Sequence, residues 1–80
     1  MIDVNYGHIR LKLAEQMEKQ NVSISKLAYR SEMERTQLKN YIRNEVARID
    51  LAVMSRLCYA LQCDLSDLME YIPPEKKSSK

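Results

Sequence analysis

Five side chains between residues 35 and 43 have the types and spacing to hydrogen-bond a polar, regularly ordered partner. Arg35, Thr36, Lys39, Asn40 and Arg43 recur at i, i+1, i+4, i+5 and i+8, one face of a helix, with Leu38 and Tyr41 opposite. Arg and Lys can donate to guanine O6 and N7, and Asn can pair bidentately with adenine, so this face suits the major groove of duplex DNA. Gln37 sits at its margin, within reach of a base or a phosphate, and is counted with the phosphate set. Ser23 reads as the N-cap of the preceding helix, where a hydroxyl and free amides can meet an anion. Lys26, Arg43 and Arg48 are further phosphate candidates; such contacts fix register and affinity without carrying sequence information. Residue types alone leave a second reading open, because Arg35 and Lys39, four apart, also suit an ordinary solvated face. Glu34 is awkward beside phosphates and reads as a carboxylate in a positively polarised first turn.

Other chemistries find no footing. The chain carries one histidine, no Ser-His-Asp or Cys-His set, no paired active-site carboxylates and no glycine-rich phosphate loop, so it does not read as an enzyme and no cofactor is expected. Cys58 and Cys63, with His8 far away in sequence, do not make a zinc ligand set and read as reduced thiols packed at the core. Net charge is only +2, yet from Val22 to Arg48 six bases face three acids, a local excess of three.

These residues need a scaffold. Eighty residues, 45% hydrophobic and 30% charged, make one globular domain. One glycine and no Phe or Trp disfavour an all-β fold, and the abundant Leu, Ala, Lys, Arg, Glu, Gln and Met favour helices. The expected fold class is all-α, a compact orthogonal bundle of five helices. The first spans about His8 to Gln20, with Ile9, Leu13 and Met17 inward and Asn21 as its left-handed stop. Ser23 starts the second, which carries Leu27 and Ala28. A tight break near Ser31 and Glu32 leads into the third, about 34–43, closed by Asn44. Asp50 caps the fourth, with Leu51, Met54, Leu57, Cys58 and Leu61 inward. Asp64 caps the fifth, with Asp67 in its first turn and Leu65, Leu68 and Met69 inward; Pro73 and Pro74 stop it. Residues 1–72 form the domain and 73–80 a loose charged tail.

The second and third helices, joined by that tight turn, form a helix-turn-helix unit. The run Leu27-Ala28-Tyr29-Arg30-Ser31-Glu32-Met33-Glu34-Arg35-Thr36-Gln37-Leu38-Lys39-Asn40-Tyr41-Ile42-Arg43-Asn44 resembles the lambda-repressor/Cro type of helix-turn-helix regulator, also called the xenobiotic-response-element family. Downstream, Arg48-Ile49-Asp50-Leu51, Leu57 to Cys63 and Asp67 to Tyr71 resemble its fourth and fifth helices, so the likeness runs from about Ile9 to Tyr71. Three positions depart from the pattern. Glu32 stands in place of the turn glycine, which implies a remodelled turn or a strained residue. Asn44 stands where many members have glycine. Ile24 stands where a glutamine often contacts phosphate, so one backbone contact is missing or moved.

The resemblance implies a small transcriptional regulator, a repressor in the first instance, that binds double-stranded DNA. It assigns base reading to Arg35, Thr36, Lys39 and Asn40. It also implies a homodimer, free or assembled only on DNA, on a pseudo-palindromic operator, in contact around the fifth helix and Tyr71-Ile72-Pro73-Pro74. The competing function is a protein-interaction module, such as an antitoxin or accessory subunit on the same fold. RNA is possible but less well suited, for want of exposed aromatics that stack on single-stranded bases. No small-molecule ligand is expected, since the chain ends once the fold is complete. No apolar run suits a membrane span or a signal core, which places the protein most simply in the cytoplasm.

Overall fold

The computed structural model describes residues 4–74; the tail residues 75–80 lie outside the described residues. In chain order come strand β1 (His8–Leu11), helices α1 (Leu13–Gln20), α2 (Ile24–Ser31), α3 (Arg35–Ile42) and α4 (Leu51–Leu61), a 3-10 turn (Leu65–Asp67) and strand β2 (Met69–Ile72).

None of these helices, 8, 8, 8 and 11 residues long, is stable alone in water. They are held by shared burial. Leu13, Leu27, Leu38, Leu57, Leu61 and Leu68 are almost wholly excluded from solvent and come from every helix and from the segment before β2. Burying one such side chain contributes about 1.5–3 kcal/mol. The local signals agree with the helix positions: the Ser23 hydroxyl accepts from Lys26 N–H (3.1 Å) and the Asp50 carboxylate from Ala52 N–H (2.9 Å). Asn21, after α1, is left-handed at φ 57°.

Two of the five expected helices are corrected. The first begins at Leu13, and His8–Leu11 is instead a strand paired antiparallel to Met69–Ile72, where the fifth helix was expected. Asp64 and Asp67 do close a turn, the Asp67 carboxylate accepting from Asp64 N–H at 3.0 Å, but it is a single 3-10 turn. Among the described residues the fold is therefore four helices and a two-stranded ribbon, not an all-α bundle. In this arrangement β1 buries Leu11 and the residue just before β2 buries Leu68, while Ile9 and Leu65, both expected inward, are about half exposed. Leu51, also expected inward, is 77% exposed: the buried stripe of α4 centres on Val53, Leu57 and Ala60 and turns Leu51 away.

Register puts Ile9 opposite Tyr71 and Leu11 opposite Met69 on one face, with Arg10 opposite Glu70 on the other. Arg10 clamps that second face: its Nε donates to Glu70 (2.8 Å) and its Nη1 to Glu15 in α1 (2.6 Å). The bond from Arg10 holds the Glu15 carboxyl below its ordinary value. Cys58 and Cys63 are half-buried free thiols against the core, and burial pushes both thiols up.

Gly7 enters the ribbon at φ 82°, and a Cβ there would lie 2.3 Å from the Ile72 carbonyl oxygen. Gly7→Ala should therefore cost about 1–3 kcal/mol, read as a lower Tm with loss of amide protection in β1; an unchanged Tm would show that the ribbon contributes nothing. A lowered folded-state pKa at Glu15 stabilises the fold above the ordinary value of 4.5, and that contribution is lost as pH falls through the lowered value. Glu15→Gln should thus flatten the acid limb of stability against pH, and an acid limb identical to wild type would remove Glu15 from the clamp.

Candidate nucleic-acid interface

α2 and α3 meet through Leu27, Leu38 and Tyr41, all buried, with Met33 filling the turn between them. The turn is tight: Met33 N–H returns to Ala28 C=O (3.2 Å), and the buried Ser31 hydroxyl is satisfied by donating to Leu27 C=O (2.7 Å). Glu32 takes the left-handed conformation (φ 57°, ψ 41°) that glycine would hold without strain, so the turn keeps its shape and the residue carries the cost. Arg56 of α4 reaches the Glu32 carbonyl at 3.4 Å.

α3 starts at Arg35, with Glu34 as an N-cap residue whose side chain makes no capping bond. Arg35, Thr36, Gln37 and Lys39 are exposed. Asn40 is half-buried, where the following chain folds back and Glu45 N–H donates to Asn40 C=O (2.9 Å). Arg43 is exposed but lies just past the helix. Tyr41 is in the core, and its hydroxyl accepts from Asp50 N–H (3.3 Å).

Arg35 departs from the simple one-face picture. It lies one turn before buried Leu38, so its side chain leaves α3 on the flank toward α2 and donates through Nη2 to the Ser25 hydroxyl. Ser23, Ser25 and Lys26 are exposed in and before the first turn of α2, so the Arg35 guanidinium joins them at one edge of the surface. Arg48 is exposed in the bend between α3 and α4, near the opposite end of α3. Sequence reasoning missed Ser25. Its only signal was a hydroxyl in the first turn of α2, and its partner is set by how two helices cross.

The profile of the Cro/C1-type helix-turn-helix DNA-binding domain matches residues 12–74, and the chain belongs to that family. No curated protein matches the chain. It is thus a DNA-binding domain built on four helices and a terminal ribbon. Among the described residues no helix is long and apolar enough to cross a membrane.

Because Glu32 is strained by its side chain alone, Glu32→Gly should stabilise the fold by about 0.5–1 kcal/mol in urea melts. A destabilised variant would mean that the glutamate side chain does more for the turn than its backbone conformation costs.

Proposed function

We propose that the chain is a sequence-specific regulator of transcription, a repressor, that inserts α3 into the major groove of double-stranded DNA. The observation that carries this reading is the solvent-facing surface of α3, where Arg35, Thr36 and Lys39 stand exposed with no acidic side chain within the helix. In this reading Arg35, Thr36, Lys39 and Asn40 contact base edges, Arg35 oriented by Ser25 and Asn40 from its half-buried position. Ser23, Lys26, Gln37, Arg43 and Arg48 meet phosphates on either side.

Two copies on a pseudo-palindromic operator, as a homodimer free or assembled on the DNA, complete the reading. The fifth helix expected to join them is absent, so the contact falls to the ribbon and its neighbours. Ile9, Tyr71, Leu65 and Leu51 are each about half exposed or more there, a composition that suits a protein contact. The same exposed residues favour a second reading, an antitoxin or accessory subunit that grips another protein. The basic face of α3 argues against making that its main role.

Selection of bound duplexes from a random pool, followed by gel shift at rising salt, tests the proposal. It predicts a recurring two-fold site and a steep loss of affinity with salt. Asn40→Ala should relax preference at one base position, by about 1–3 kcal/mol, while Lys26→Ala should weaken all sequences alike and lower the salt slope by about one. Binding with neither sequence preference nor salt dependence would end the DNA-reader reading, and equal weakening of every site by both variants would end the division of the surface.

A further inference from the structure

Asn44 follows α3 in the left-handed conformation at φ 61°, where glycine would be the unstrained choice. Its side chain does something glycine cannot do. Leu11 N–H donates to Asn44 Oδ1 (2.6 Å), and Asn44 Nδ2 donates to Leu11 C=O (3.1 Å). The geometry of β1 explains why both Leu11 groups are available. Lys12 N–H donates to Leu68 C=O (2.7 Å), so Lys12, and Arg10 two residues before it, turn their backbone groups toward the chain of β2. Leu11, between them, turns its N–H and C=O to the outer edge. There the primary amide of Asn44, one donor and one acceptor, pairs with Leu11 as a neighbouring strand residue would.

The consequence lies at the reading helix. Asn44 is two residues past the end of α3. The backbone bonds at that end, Arg43 to Lys39, Asn44 to Tyr41 and Glu45 to Asn40, close α3 on itself and anchor it to nothing else. Among the described residues, the Asn44 amide makes the side-chain hydrogen bonds that tie this end of α3 to the terminal ribbon. The other end is fixed independently, by the turn at Glu32 and by Arg35 on Ser25. At the Asn44 end α3 also keeps the Tyr41 hydroxyl bond from Asp50 N–H and the partly buried Ile42, but these tie it to the start of α4 and to the core. Losing the Asn44 bonds removes its side-chain tie to β1 and widens the range of tilt.

We propose that Asn44 is a positioning residue, which touches no DNA and sets the tilt of α3 by latching its end to β1, so that pairing of the terminal ribbon and DNA affinity are linked. The inference rests on the reading of α3 as the groove-entering helix. Linkage is reciprocal: if the latched state binds DNA better, then DNA favours the latched state.

Asn44→Gly separates the latch from the turn, because glycine keeps the left-handed conformation and loses both bonds. With a duplex selected by the wild-type protein, the variant should remain folded, exchange the Leu11 amide faster, and bind about ten-fold more weakly. Its salt slope should match wild type, since no phosphate contact is removed. Affinity within about two-fold of wild type despite a fast-exchanging Leu11 amide would overturn the proposal, and so would a reduced salt slope, which would make Asn44 a phosphate ligand. A measurement without any substitution covers the case of a misfolded variant: in the wild-type protein, DNA should slow exchange at the Leu11 amide more than at Ile9, on the same strand edge but without the latch. Equal slowing would overturn the linkage. Wild-type protein that selects no sequence would overturn the groove reading and the latch together, whereas selective binding with an unaffected Asn44→Gly variant would overturn the latch alone.

Discussion

The structure depends on leucines that no single element can bury. α1, α2 and α3 are two turns each, too short to hold their own hydrogen bonds against water. Leu13, Leu27 and Leu38 are nevertheless almost completely covered, because α1 and α2 each pack against α3 and α4 and the three leucines share one core cluster with Leu57, Leu61 and Leu68. The helix-turn-helix unit is therefore not a module resting on a scaffold. Its two helices exist because α1, α4 and the segment before β2 close over their apolar faces, leaving the outer face of α3 free of any packing duty. Thr36, Gln37 and Lys39 can be polar at little cost to stability, because these exposed positions are separate from the side chains that make the core.

The dense core puts a demand on the connections. Each of the four helices is followed by a left-handed residue, at Asn21, Glu32, Asn44 and Gln62, and the one glycine of the chain is spent elsewhere, at Gly7. A non-glycine residue in that conformation costs on the order of 1 kcal/mol. The four positions offset it differently. Asparagine at 21 and 44 tolerates the conformation, and the Gln62 side chain donates to Tyr59 C=O (3.0 Å). At Glu32 the compensation comes from outside, through Arg56 on its carbonyl, so the turn that aims α3 is braced from α4.

What could be read in the sequence follows from which forces act locally. Ser23, Asp50, Asn21 and Asn44 mark helix ends through bonds or conformations within a few residues, and the structure places α2, α3 and α4 where they indicated. The ribbon was not legible. Ile9, Leu13 and Met17 have helical spacing, and only pairing with a segment at the other end of the chain makes Ile9 part of a strand. Leu65, Leu68 and Met69 look like a helix face for the same reason, yet Leu68 alone enters the core. Four-residue strands are too short to display an alternating pattern, so periodicity could not have separated the two assignments. The candidate site divides along the same line. Arg, Lys and Asn on α3 announce themselves by type. Ser25 and the side chain of Asn44 matter only through partners that the tertiary fold supplies, Arg35 across the turn and Leu11 across the molecule.

That division bears on how a domain this small can hold α3 steady. Its core fixes where α3 sits, through Leu38 and Tyr41, and the Tyr41 hydroxyl adds a bond from Asp50 N–H; lying one turn apart, the two residues constrain tilt less than contacts at the helix ends do. Orientation needs contacts with a long lever arm, and those lie at the two ends of α3. At one end Arg35 leans on α2, and at the other Asn44 holds the edge of β1. Both contacts are polar and near the surface, where a hydrogen bond contributes a modest net stability but defines a direction that apolar packing does not. Packing sets the place of the helix; the hydrogen bonds at its ends set its angle.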